Sequence, residues 1–437
     1  MSIGCFLAFS TVVVTELRMG ESPYPVMLPV VALVLAALVV GAVRHGIEPI
    51  PRLSVTVTMS FALLVAYAAV SALATDQVIG GGSVELITLS KVWILPVLVQ
   101  SLGVCLIALL GVALVRAKDL SLVLWWFAVA GAVVTPLGWL LNHEAPGGRL
   151  ATRVGGAAVL HVALLIGLAV ALAAWRQGYR PKVSGAVTGL YALYLLLSQS
   201  RAGLIVVGVF VVLVVAPPLV RGLRTGGVPR RLLALAGLAV AALVGMAVLV
   251  LDKRGVDTSG GGRSEAWVLA WEAVSASPFT LVFGNGYGTL WPWYAFEQGQ
   301  YQGDVRAIKT MPHGETLAHA HNVYVAVGAE LGLVGLLLLA PLLVAVVWAF
   351  RSATTRQGRW LAAALVATLP GFFFDTYLIK NFPLSLIWWA ALFAVLRLNQ
   401  LARLRASTIN PPTVTANASA AGSTPSGSAE SPEVSER

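Results

Sequence analysis

The chain has 437 residues, of which 58% are hydrophobic and 11% charged, with a mean hydropathy of +0.84. No soluble domain of that length hides so much apolar surface, so a water-soluble globular fold is excluded and the solvent is a bilayer. The formal charge of +10 then reads as Lys and Arg facing anionic lipid from cytoplasmic loops, not as nucleic-acid binding.

Long apolar runs recur from end to end, which predicts an all-α, polytopic membrane protein of about 12 transmembrane helices; a barrel would show short alternating segments. At about 20 residues per span, the candidates are 3–17, 24–43, 53–74, 86–115, 120–141, 154–175, 184–199, 202–220, 232–251, 321–350, 360–378 and 381–398. The first and seventh are short, and the fourth leaves room for a tilt or a re-entrant break near Pro96. The N-terminus lacks the basic region of a cleavable signal, so 3–17 is expected to stay as a first membrane segment. Cys5 and Cys105 lie in apolar runs, which argues against a disulfide framework or a thiolate metal site.

With the N-terminus inside, the inside connections carry 17 basic residues and the short outside ones six. The positive-inside rule therefore places both termini in the cytoplasm. It also places the one long hydrophilic connection, 252–320, on the extracytoplasmic face. Within that loop, Trp267, Ala270, Trp271 and Val274 fall at helical spacing behind a possible N-cap at Ser264, predicting a membrane-surface helix near 264–277. A glycine-rich turn, Phe283-Gly-Asn-Gly-Tyr-Gly288, and an aromatic group of Trp291, Trp293, Tyr294, Phe296 and Tyr301 follow. The membrane domain is expected to span 1–406. The Ser, Thr, Ala and Pro-rich tail, 407–437, cannot bury a core and should be disordered in the cytoplasm.

Ionisable groups at membrane depth are functional candidates. Arg201 sits between two apolar runs with almost no loop, and its planar fork suits a phosphate. Arg263 opens the surface helix, where helix amides could help it hold an anion; Arg149 and Arg153 could join the same basic pocket. Three of the six histidines, His313, His319 and His321, crowd just before the tenth span. A helix N-terminus disfavours imidazolium, so His321 would stay neutral and able to accept a proton. On a regular helix His319 and His321 would point to nearly opposite sides, leaving one facing the reacting group. A zinc site on His313, Glu315, His319 and His321 is the rival reading. Glu330 and Asp375, within spans, are read as structural. Arginines and a neutral base on a face without ATP call for a donor that arrives already activated, such as a polyprenyl diphosphate-linked glycan. Loop aromatics could stack on its sugars.

The ordered motifs strengthen this reading. Ser200-Arg201-Ala-Gly203, Arg263 with Trp267, Phe283-Gly-Asn-Gly286, His319-Ala-His-Asn322-x-Tyr324 and Glu330-x-Gly332-x-x-Gly335 together resemble the O-antigen ligase and O-antigen polymerase superfamily. The resemblance covers about 184–345. It departs at the sixth span, where Thr152-Arg-Val-Gly-Gly156 lacks the Pro-Asn pair of many members. It implies a GT-C-like fold and a metal-independent glycosyltransferase without cofactors in a bacterial cell membrane. Arg201 and Arg263 would bind diphosphate, and His321 or His319 would be the base; Arg153 joins them by its placement alone. Trp291, Trp293, Tyr294 and Asn322 would meet glycan. The implied partners are the lipid-linked donor, a glycan, lipid or protein acceptor, and membrane lipid. A secondary transporter or flippase is the alternative, which would show inverted repeats and midplane charges.

Overall fold

The structure, a computed structural model, describes residues 24–81, 84–141, 149–152, 154, 156, 159–225, 237, 244, 245, 262–297, 299–301, 308–374 and 378–409. Helices dominate, because in hydrocarbon a segment must pair its own backbone groups. They are α1 (Tyr24–His45), α2 (Arg52–Leu73), α3 (Ile94–Leu114), α4 (Leu120–Leu141), α5 (Leu160–Arg176), α6 (Pro181–Ser198), α7 (Arg201–Arg224), α8 (Arg263–Ser275), α9 (Pro278–Phe283), α10 (Trp293–Glu297), α11 (Val323–Arg351), α12 (Arg356–Thr368) and α13 (Phe382–Ile409).

Seven described helices are long and apolar enough to cross a membrane: α1, α2, α3, α4, α7, α11 and α13. The expected count of about twelve is thus not reached among the described residues. Helix α5 has 17 residues and α12 only 13; α12 gives way to a 3-10 turn, Leu369–Phe373, that contains Pro370. The expected spans 3–17 and 232–251 lie wholly or almost wholly outside the described residues, as do Asp375, Arg153 and the tail beyond 409. Helix α13 itself runs to Ile409, past the expected domain end at 406.

Helix α13 is the hub. Trp388, Trp389 and Leu392 are fully buried on it, as befits a helix apolar all round. By contrast α1 and α7 turn Leu33, Val43 and Val212 outward, a surface suited to lipid tails. Arg397, expected among the cytoplasmic loop cations, is instead buried in α13. It donates to the Val112 carbonyl and pairs with Glu48 Oε2 at 3.1 Å. A buried guanidinium needs such partners.

A small antiparallel sheet accompanies the otherwise helical fold. Its order is β2 (Val84–Thr88), β1 (Val78–Gly81), β3 (Ile308–Met311), β4 (Gly314–Thr316), with Ile79 opposite Thr310 and Lys309 opposite Glu315. The expected fourth span, 86–115, takes in the end of β2, although Val, Ile and Thr around Gly-Gly are a strand signal. The helix begins later, and Pro96 falls in the first turn of α3, where its missing N–H costs nothing. No break forms there. The sheet joins the connection after α2 to the long loop, so both lie at one end of the bundle.

Candidate functional site

The site is built around one irregularity. Gly332 (φ 63°, ψ −161°) interrupts α11, and a kink frees the carbonyls just before it. The glycine-rich turn supplies the missing donors. Asn285 N and Nδ2 donate to the Ala329 carbonyl at 3.1 and 3.0 Å, and Gly286 N to that of Glu330 at 3.0 Å. The backbones approach so closely that a Cβ on Gly284 would lie 2.3 Å from Glu330 backbone atoms. The Glu330 side chain, buried in the bundle, turns to the same loop and accepts from Leu290 N (3.0 Å) and Trp291 N (3.1 Å). Lys91 lies near enough to attract it and donates to Thr75 Oγ1 and Thr289 Oγ1, each at 2.6 Å. Phe-Gly-Asn-Gly and Glu-x-Gly are therefore two halves of one structural lock.

Helix α8 fixes the next layer. Its N-cap is Gly262 in the left-handed region (φ 80°), not the expected Ser264, whose hydroxyl bonds Glu265 instead. The buried row is Ala266, Ala270 and Val274, while Trp271, expected on that face, is 66% exposed. Trp271 and the equally exposed Phe279 form an outward apolar surface, as a helix at a membrane surface requires. Trp267 Nε1 donates to the Ala320 carbonyl at 2.8 Å, tying α8 to the histidine segment. Arg263 stands one turn before Trp267, on the same side of α8.

Residues 317–322 are not helical, and this overturns the expectation that the two imidazoles diverge. His321 adopts φ 51°, a region histidine visits more readily than most residues. Its ring meets that of His319 edge-on, with centroids 5.8 Å apart. Asn322 is the N-cap of α11: its side chain accepts from Val325 N at 3.1 Å.

His319 faces an open cavity of about 500 Å³, including its mouth, whose wall holds Tyr287, Trp291, Trp293, Val327, Glu330 and Lys380. Arg201, Arg263, His321, Tyr294 and Asn322 are not on this wall. The aromatics are not an open platform: Trp291 and Tyr294 are 2% and 1% exposed. Trp291 Nε1 has no hydrogen-bond partner among the described residues, so an unmet donor borders the cavity.

Lys380 is the residue that sequence reasoning passed over. It was counted only as an outer-loop charge, yet its ammonium pairs with Glu297 of α10, lies 4.4 Å over the Trp293 ring and comes within 3.2 Å of His319 Nδ1. Burial, then Lys380, then His321 drive the His319 pKa down to about 2. His319 is thus a neutral imidazole throughout the physiological range. His313 sits at the turn between β3 and β4; burial and then Lys91 lower its pKa. Among the described residues no three His, Cys, Asp or Glu side chains gather as metal ligands.

Arg201 occupies a neighbouring corner. Ser200 caps α7 by accepting from Gly203 N at 3.1 Å, and its Oγ lies 3.3 Å from Nδ1 of the buried His161. Arg149 Nε donates to the Ser198 carbonyl at 3.3 Å. Ser200 thus brings a further histidine, unremarked in the sequence, beside Arg201. Helix α7 also packs on the 3-10 turn at Leu369–Phe373, whose Leu369 carbonyl accepts from Tyr324 Oη at 3.1 Å.

Fold and site together define a multi-pass helical membrane protein with a histidine-bearing cavity at one end. Residues 185–340 match the family model described as O-antigen ligase. The match covers about a third of the chain. No curated protein matches the chain.

Proposed function

We propose that the protein is a membrane glycosyltransferase. It moves a glycan from a polyprenyl diphosphate carrier to an acceptor hydroxyl on the extracytoplasmic face of a bacterial cell membrane, as a ligase or polymerase of surface polysaccharide. His319, the imidazole on the cavity wall, takes the acceptor's proton as its oxygen attacks the anomeric carbon. The carrier diphosphate leaves with the electrons of the broken C–O bond, and Arg201, Arg263 and Arg153 offset the developing charge. The donor is already activated, so this reading assigns no cofactor or metal. Trp291 and Trp293 border the space where sugar would lie.

The observation that carries the reading is that the O-antigen ligase match contains the histidine pair and most of the cavity wall. The sheet supports the sidedness, because it joins two connections that the charge distribution independently places outside. In proteoliposomes given lipid-linked glycan and acceptor, His319→Ala should lower transfer about 100-fold or more, the usual worth of a general base. Arg201→Ala and Arg263→Ala should weaken donor use. Full transfer by all three variants would remove the reading.

A further inference from the structure

We propose that Lys380 is a positioning residue: it holds His319 at the cavity wall as a neutral imidazole. Its Nζ lies 3.2 and 3.4 Å from the two ring nitrogens. An ammonium has only donors, so facing both nitrogens it disfavours a second proton on the ring. A protonated ring would put two cations in contact in a partly buried place. Lys380 cannot swing away cheaply, because Glu297 grips it from α10 and the Trp293 face lies beneath it. One ammonium thereby joins three segments: the start of α13, the α10 turn and the histidine loop.

The other groups near His319 do not supply this function. His321, on its own segment, is a second imidazole. Glu330, across the cavity, is committed to Leu290, Trp291 and Lys91. Tyr287 is a buried phenol whose pKa is raised, burial first, so it stays protonated. Glu297 answers the Lys380 charge, so Lys380 is placed to control the ring and not to capture an anion.

The catalytic meaning of this pairing rests on His319 being the base, so the test begins with a readout independent of catalysis. Diethyl pyrocarbonate modifies neutral imidazole, and peptide mass spectrometry can follow His319 alone. In the full-length protein in lipid nanodiscs, labelling should be flat from about pH 8 to about pH 5, across the ordinary histidine value. Lys380→Met removes the like charge and also the clamp that keeps the ring buried, so the loss of labelling should move up into that window, and transfer should gain a matching acid limb. Lys380→Arg should keep the wild-type profile. If the single variant fails to fold, Lys380→Met with Glu297→Gln removes both charges and tests the same shift. Identical labelling profiles with and without the lysine overturn the proposal. A shifted labelling profile together with full transfer by His319→Ala would remove the base reading and leave the pairing standing.

Discussion

Glu330 illustrates how one side chain can organise a site without reacting in it. Glu330→Ala would strand the Leu290 and Trp291 amides and leave the buried Lys91 with only the weaker attraction of Asp76. Breaking one partner of a buried charge pair costs about 3–5 kcal/mol, so the unfolding midpoint of the purified protein should fall sharply. Glu330→Gln keeps an acceptor for the amides and should lose less. Trp267→Phe removes only the bond to the Ala320 carbonyl, worth about 1 kcal/mol; donor use should suffer more than stability, measured as KM against melting temperature. At this scale the sequence singled out His319, which lies on the cavity wall, and also His321, Arg201 and Arg263, which do not, because titratable groups are scarce in an apolar chain. It could not name Lys380. A lone lysine in a short outer connection looks like any interfacial charge until α10 brings Glu297 and Trp293 to it.

Among the elements, long helices were legible because hydrophobic length alone defines them, and α1, α2, α4, α7, α11 and α13 fall close to their expected places. Their ends were less so. Residues 86–93 read as apolar span, but 84–88 finds strand partners and the helix starts after them. The kink in α11 was also hidden, since Gly332 looks like an ordinary small residue of a membrane helix. Gly332→Ala would force a left-handed alanine whose Cβ lies 2.5 Å from Gly284 N and the Val282 carbonyl. We expect about 2–4 kcal/mol of destabilisation and loss of transfer with the protein still inserted, checked by melting temperature and by activity per inserted molecule. Gly328→Ala, in the same helix, meets only ordinary side-chain contact at 3.6 Å and should be mild.

For the whole molecule, the decisive prediction concerns sidedness. In a variant without Cys5 and Cys105, Lys309→Cys on β3 should react with a membrane-impermeant maleimide added to intact cells. Paired with Gly80→Cys, its neighbour across the sheet, it should form a disulfide under mild oxidation; labelling only after lysis would turn the cavity inward. Hydrophobic length, loop charge and motif order are properties of the chain itself, so the bilayer setting, the expected orientation and the family resemblance could be read from sequence. What meets across the bundle could not. The pairing of β1 with β3, the turn at 284–286 that answers the kink at Gly332, and the approach of Lys380 to His319 join segments tens to hundreds of residues apart. Such contacts leave no periodicity in either partner, and only the packed helices decide them.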